Sequence, residues 1–239
     1  PPYTPMTRPL SLQAGAGHRT EKEPYMSEPT KKAKGKVLVL RTCNADRTSR
    51  DGFQWPEVGG TATAPDWDPD PNRRCGGGLH GLLWGCGEAG LLSGDSTALW
   101  QVVSVKVKDI ANPDAPDKVR FRTGKVVFEG DRDGATSYLL ANGAAGRPVV
   151  YAKHTAGDYG TATAGDYGTA TAGDDGTATA GYYGTATAGY YGTIVIKWWD
   201  DNATRYRLTV GYPGEDGIKP NVAYRCDEAG NLVRADGAA

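Results

Sequence analysis

The clearest order in this chain is a period-two alternation of apolar and polar positions in short segments, which is the signature of half-buried strands. Lys36–Arg41 (KVLVLR) and Trp100–Val107 (WQVVSVKV) read as strands. Lys118–Arg122 (KVRFR) and Lys125–Glu129 (KVVFE), separated by Thr-Gly, read as the two arms of a hairpin. One helical stretch interrupts them at Asp133–Asn142 (DGATSYLLAN), with Asp133 as its N-cap and Gly143 past its end. Near the C terminus Thr193–Trp199 and Arg205–Tyr212 predict a second hairpin across residues 200–203 (DDNA). A Gly214–Gly217 turn and a last strand at Val222–Arg225 follow.

Between these segments the alternation becomes a repeat. From Gly157 to Ile196 the chain reads GDYGTATA, GDYGTATA, GDDGTATA, GYYGTATA and GYYGTIVI. Thr-Ala-Thr-Ala puts threonines on one face and alanines on the other. The glycines that bracket each Asp/Tyr pair mark a bend that needs positive φ or close backbone approach. Each octad is one short strand and one corner. Two octads make a 16-residue turn of a flattened β-solenoid, the arrangement favoured over an antiparallel meander. Val149–Ala156 (VVYAKHTA) is a degenerate octad upstream, and Ile194, Val195 and Ile196 supply larger apolar residues downstream. Gly60–Ala64 (GTATA) is a lone echo of the unit.

The octad resembles the AGYGST-T repeats of bacterial ice-nucleation proteins, and that resemblance implies 16-residue solenoid coils. It departs from them because every octad carries Thr-Ala-Thr or its Thr-Ile-Val variant, with no alternation of two unlike halves. A second specific segment is Cys75-Gly-Gly-Gly-Leu-His80. Together with the octads it resembles phage, prophage and bacterial proteins that join a Cys-x-x-Gly-[Leu/Phe]-His module to short Gly/Tyr/Thr/Ala repeats. That resemblance implies an architecture and no reaction. Gly77–His80 followed by the Trp100–Val107 strand also resembles ADP-ribosyltransferases. It implies Arg41 and His80 as NAD-gripping groups and Glu129 as the carboxylate that stabilises an oxocarbenium-like ribose.

Composition narrows the function classes. The 239 residues carry 27 basic and 28 acidic side chains, so nothing in the whole-chain charge draws the protein to nucleic acid or membrane. The basic run Lys31–Lys36 is read as a solvated tail. Residues 1–30 lack an apolar run, which gives the expectation of no signal peptide or membrane span, a start at Met26, and a cytoplasmic or virion-associated protein. Cys43, Cys75, Cys86 and Cys226 are expected to be reduced thiols. The spacing of Cys75, His80 and Cys86 lacks the paired knuckle of a structural zinc site, so neither metal nor cofactor is expected.

The expected fold is mainly β. A disordered leader (1–33) precedes an α+β module (34–148), then an octapeptide β-solenoid (149–196), a C-terminal β-hairpin cap (193–234) and a tail (235–239). The expected function is structural or interactive rather than enzymatic, through a repetitive surface of Thr161, Thr163, Thr169, Thr171, Thr177, Thr179, Thr185, Thr187, Tyr182 and Tyr190. Such a surface suits a repeating partner: a second copy, a capsid, a glycan or ice. Ice binding and an ADP-ribosyltransferase-like activity are the alternatives.

Overall fold

The computed structural model describes residues 35–73 and 75–237; the expectations for the leader lie outside the described residues. Its first half is a sheet of six strands: β1 Lys36–Cys43, β2 Thr61–Thr63, β3 Leu79–Leu83, β4 Leu99–Lys106, β5 Val119–Phe121 and β6 Thr123–Gly130. They lie in the order β2-β6-β4-β1-β3-β5, and every pairing is antiparallel. The lone GTATA echo is β2, an edge strand with Ala62 and Ala64 buried.

The expected hairpin of residues 118–129 does not form. β5 pairs with β3 and β6 with β4 and β2, near opposite ends of the strand order. Only Arg122 separates β5 from β6, so the sheet curls until its two ends approach. The curl encloses Val37, Val39, Trp55, Val103, Val105, Val119, Phe121 and Val126. Burying those side chains outweighs the local Thr-Gly turn signal on which the hairpin expectation rested.

The opposite face of β1 and β4, with Leu40, Trp100 and Val102, packs on α1, Arg132–Leu139, through Ala135 and Leu139. The cap is Asp131, not Asp133: its carboxylate accepts the Gly134 N–H at 2.8 Å. Asp133 instead pairs with Lys153. Val149, Val150 and Ala152 complete this second cluster, so the degenerate first octad is built into the core beneath the sheet.

From there the chain winds as a solenoid. β7 Lys153–Thr155, β8 Thr161–Thr163, β9 Thr169–Thr171, β10 Thr177–Ala180, β11 Thr185–Thr187 and β12 Thr193–Asp200 alternate between two sheets. Pairing is parallel at a spacing of 16 residues: Thr161 with Thr177, Thr177 with Thr193, and Thr169 with Thr185. Two octads therefore make one coil, and the meander is ruled out. Eight alanines, from Ala162 to Ala188, fill the interior with Ile194 and Ile196 at the lower end. His154 takes an inward alanine position, in register with Ala170, at the upper end. Its Nε2 is buried without a partner, and burial pushes the imidazole pKa down.

At each corner the first glycine's carbonyl accepts the N–H of the second, as in Gly165 and Gly168 at 3.0 Å. The glycines are required by space rather than by φ. A Cβ on Gly160, Gly168, Gly176, Gly184 or Gly192 would sit 2.8–2.9 Å from the preceding alanine's Cβ. Positive φ falls instead on the third octad residue, Tyr159, Tyr167, Asp175, Tyr183 and Tyr191, at 53–59°. A turn of this shape usually reserves that place for Gly or Asn. The tyrosines are held there by coil-to-coil bonds, such as Tyr167 N–H to the Tyr182 carbonyl at 2.8 Å, and by stacking of Tyr151, Tyr167 and Tyr183 at 5.0 and 5.3 Å.

The second octad residue has a separate task. Asp158 Oδ1 accepts the Asp174 N–H, Asp166 Oδ1 the Tyr182 N–H, and Asp174 Oδ1 the Tyr190 N–H, each 16 residues on. Asp166 also binds Lys197 Nζ at 2.7 Å. Below the last coil β12 runs on into β13, Arg205–Gly211, as an antiparallel pair, and β14 Tyr224–Cys226 with β15 Leu232–Arg234 closes the other sheet. The last strand was expected at Val222–Arg225, and β15 had no sequence signal beyond Leu-Val. Trp198 lies against Gly230, and Trp199 is covered edge-on by Tyr206.

The coil register can be tested by deletion. Removing residues 165–180 takes out one full coil and leaves β7 facing the Thr185 strand in register, so this variant should unfold in a single cooperative transition. Removing residues 165–172 alone exchanges the two sheets for everything downstream and should give an aggregating or molten product; circular dichroism and urea titration distinguish the outcomes. Asp166→Ala leaves a half-buried N–H unbonded and strands Lys197, so it should lose about 1–3 kcal/mol of unfolding free energy. Asp175→Asn, at an exposed corner that tolerates positive φ, should stay within about 0.5 kcal/mol of the parent chain.

Candidate functional site

The threonines singled out from the sequence lie on the two outer faces of the coil. Thr161, Thr163, Thr177 and Thr179 belong to the sheet of β8, β10 and β12, where Thr193 extends one row and Val195 the other. Thr169, Thr171, Thr185 and Thr187 belong to the sheet of β9 and β11, with Lys153 and Thr155 completing the rows on β7. Parallel register places identical hydroxyls side by side about 4.8 Å apart across strands and about 6.7 Å apart along each strand. Each face is therefore a grid two side chains wide and two or three strands deep.

The tyrosines do not share those faces. Tyr182 is half-buried at a corner, its ring 4.0 Å from Tyr183 and 5.5 Å from Tyr206. Tyr190 is exposed at the opposite corner line, beside Tyr191 and below Tyr159, which are 84% and 81% exposed. The expected repetitive Thr/Tyr surface takes the form of two threonine grids with tyrosine edges. Sequence reasoning missed the row beside one grid. On β13, an edge strand, Tyr206, Leu208 and Val210, together with Tyr212 just beyond, are all exposed on the face that continues the Thr177 sheet. Their alternation with Arg205, Arg207 and Thr209 was the available signal.

Arg41, His80 and Glu129 separate differently. Arg41 and His80 line one cavity of about 670 Å³ in the first half of the chain, together with Phe53, Trp55, Leu79 and Lys118. Strand register explains the meeting: β1 and β3 are antiparallel, so Arg41 comes to lie opposite Gly81, next to His80. The guanidinium is buried, lies over the Trp55 ring at 3.5 Å and donates from Nη1 to Gln101 Oε1 at 2.8 Å. Burial pulls its pKa down to about 10.

Glu129 does not line this cavity. Arg47 grips it bidentately, with Nε 3.1 and 3.0 Å and Nη2 2.9 Å from its oxygens, and Gln101 Nε2 donates to it at 2.8 Å. Burial pushes the carboxyl up, but the bonds from Arg47 and Gln101 outweigh it and hold the pKa below the ordinary value. A carboxylate so engaged is a structural anchor. Of the three residues implied by the ADP-ribosyltransferase resemblance, Arg41 and Glu129 are linked through Gln101, and Glu129 does not share the cavity that Arg41 and His80 line.

The Cys75–Gly78 loop is set by Arg120. This side chain is fully buried and donates to the carbonyls of Asp68, Gly77 and Asp70. Asp66 accepts the Gly78 N–H at 3.0 Å, and a Cβ on Gly77 would collide with the Asp66 backbone. Those contacts explain the run of glycines before His80. Cys75 is exposed, and Lys118 Nζ lies 3.6 Å from its sulfur.

Comparison with known proteins finds one group of relatives. The chain is 39% identical over 109 residues to an ice nucleation protein of Pseudomonas syringae, 36% over 107 to one of Pseudomonas fluorescens, and 34% over 107 to one of Xanthomonas campestris pv. translucens. These matches take in 45–46% of this chain but only 7–9% of the relatives' length. The five octads, Gly157 to Ile196, are shorter than half of a span of 107–109 residues, so most of the matched sequence lies outside them. No family model matches the chain. No solved structure matches it. Among the described residues no helix is long and apolar enough to cross a membrane. A part of this chain is thus similar to a small part of the ice nucleation proteins.

Proposed function

We propose that this is a non-enzymatic surface-binding protein whose coil presents threonine grids to an ordered, repeating partner, and that the partner is ice or ice-like water. The observation that carries the reading is the in-register column of threonines on parallel strands, Thr161–Thr177–Thr193 and Thr163–Thr179 on one face and Thr169–Thr185 and Thr171–Thr187 on the other. A hydroxyl and a methyl on each threonine, held at fixed spacing by the backbone ladder, offer an array of hydrogen-bonding and apolar points that needs little ordering on binding. The similarity to ice nucleation proteins supports the choice of partner. The small grid sets the scale: binding to a crystal face is expected, and nucleation, which needs a far larger template, is not.

Ice-shaping and freezing assays test this directly. The protein should facet growing ice crystals at high concentration while leaving the freezing temperature of buffer droplets unchanged. Thr161→Lys with Thr177→Lys should abolish faceting if that face binds. Round, unmodified crystals from the parent chain would sink the reading.

A second reading, association with another copy, rests on the exposed row Tyr206, Leu208, Val210 and Tyr212 along an unpaired strand edge. Open edges of this kind template further pairing unless charges block them. Light scattering should show a concentration-dependent dimer that Leu208→Lys returns to monomer. A parent chain that stays monomeric at high concentration would remove this reading and leave the first intact.

A further inference from the structure

Apart from the coil, the first half of the molecule contains a cavity whose chemistry points to a small ligand. We propose that the cavity lined by Arg41, Lys118, Phe53, Trp55 and Leu79 binds a small organic oxyanion, a phosphate or carboxylate carried on an aromatic or similarly apolar body.

The inference begins with an unusual residue. Arg41 is only 7% exposed, yet among the described residues no carboxylate pairs with it. Its neighbours are the neutral Gln101 amide, the Cys43 thiol, whose pKa burial pushes up, and the face of Trp55, and its buried Nε has no acceptor. A buried cation without a counter-charge is costly, and buried charges in proteins are normally paired. The carboxylate reached through Gln101, Glu129, is occupied by Arg47 and by the far side of the Gln101 amide. Gln101 therefore holds the guanidinium in place without neutralising it.

The rest of the cavity supplies what a ligand of this class needs. A second cation, Lys118 Nζ, lines it and has the Cys75 thiol as its partner at 3.6 Å, a weak acceptor that an oxyanion would displace. Phe53 and Trp55 pack edge to face at 5.4 Å, and with Leu79 and Leu92 they form an apolar wall. The volume, about 670 Å³, falls within the range of small-molecule sites. Two carboxylates, Asp51 and Asp66, also line the cavity, but both are exposed and Asp66 is engaged by the Gly78 N–H. The buried end is cationic, and the rim is mixed.

The experiment uses the full chain and four probes: phenyl phosphate, benzoate, inorganic phosphate and phenol, followed by tryptophan fluorescence and calorimetry. Phenyl phosphate or benzoate should bind saturably, and inorganic phosphate and phenol at least about tenfold more weakly, since each lacks one half of the recognition. Arg41→Met and Lys118→Ala should each weaken the tight probe by about tenfold or more. Unliganded Arg41→Met keeps the volume but leaves the buried Gln101 Oε1 without its donor, so it should melt somewhat below the parent chain. Lys118 is half-exposed, so its variant decides the matter should Arg41→Met fail to fold. No saturable binding of either aromatic oxyanion up to about 10 mM, or equal affinity in the parent and Lys118→Ala chains, would overturn the proposal. Inorganic phosphate binding as tightly as phenyl phosphate would overturn the role given to the apolar wall.

Discussion

The coil depends on how closely one turn of backbone can lie on the next. At the corners the first glycine of every octad after the first rests on backbone of the preceding turn: a Cβ on Gly173 would strike Asp158, one on Gly181 Asp166, and one on Gly189 Asp174. Any side chain there would hold the coils apart at their edges while the strands between them seek a spacing of about 4.8 Å. The glycines let corner and strand share one spacing. The rest follows from it: the parallel ladder, the columns of threonine, the alanine interior too thin for larger residues, and the stacked tyrosines.

The close approach also explains the variation within the repeat. The second octad position is Asp in the first three units and Tyr in the last two. Each of those aspartates accepts an N–H from the coil below. For Tyr182 and Tyr190 the residues 16 further on are Trp198 and Tyr206, which belong to the terminal hairpin, so no corner N–H lies beneath. A carboxylate there would have nothing to accept, and a ring that packs on Tyr206 has a use. The change from Asp to Tyr thus marks the end of the stack in the primary sequence.

How much was legible follows from how local each signal is. The octad states its strand, its corner and its inward face within eight residues, and two-octad coils follow from the geometry of closing a turn. The curled sheet was not legible in the same way. Its strands were readable one by one, but the separation of Val119–Phe121 from Thr123–Gly130 to distant places in the sheet depends on burying Phe121 and Val126 in one shared interior. Arg41 and His80 were picked out as polar residues beside strands and glycines, and antiparallel pairing brought them to one cavity. Glu129 had the same kind of signal and went elsewhere, because its partner Arg47 lies in a loop whose path no periodicity describes. Positive φ on tyrosine had no sequence signal at all, since glycine was the natural candidate at every corner.

The two halves of the molecule meet on β1, where neighbouring residues serve different ends. Leu40 faces the cluster that contains Leu139, Val149, Val150 and Ala152, the point at which the first coil is anchored to the sheet. Arg41, one residue later and so on the opposite face, lies over Trp55 and lines the cavity. The Val150 N–H bonds to the Gly85 carbonyl and the Gly165 N–H to the Val149 carbonyl, so the sheet also closes the upper end of the coil. With the terminal hairpin closing the lower end, the solenoid is bounded on both sides, and its threonine grids cannot grow by stacking another chain onto an open coil. Growth of the surface must come from lateral contacts, and among the described residues β13 is an edge strand that carries an apolar row beside a grid. A coil stoppered in this way suits recognition of a surface at small scale. The cavity, set on the other face of β1, is lined by none of the coil's threonines.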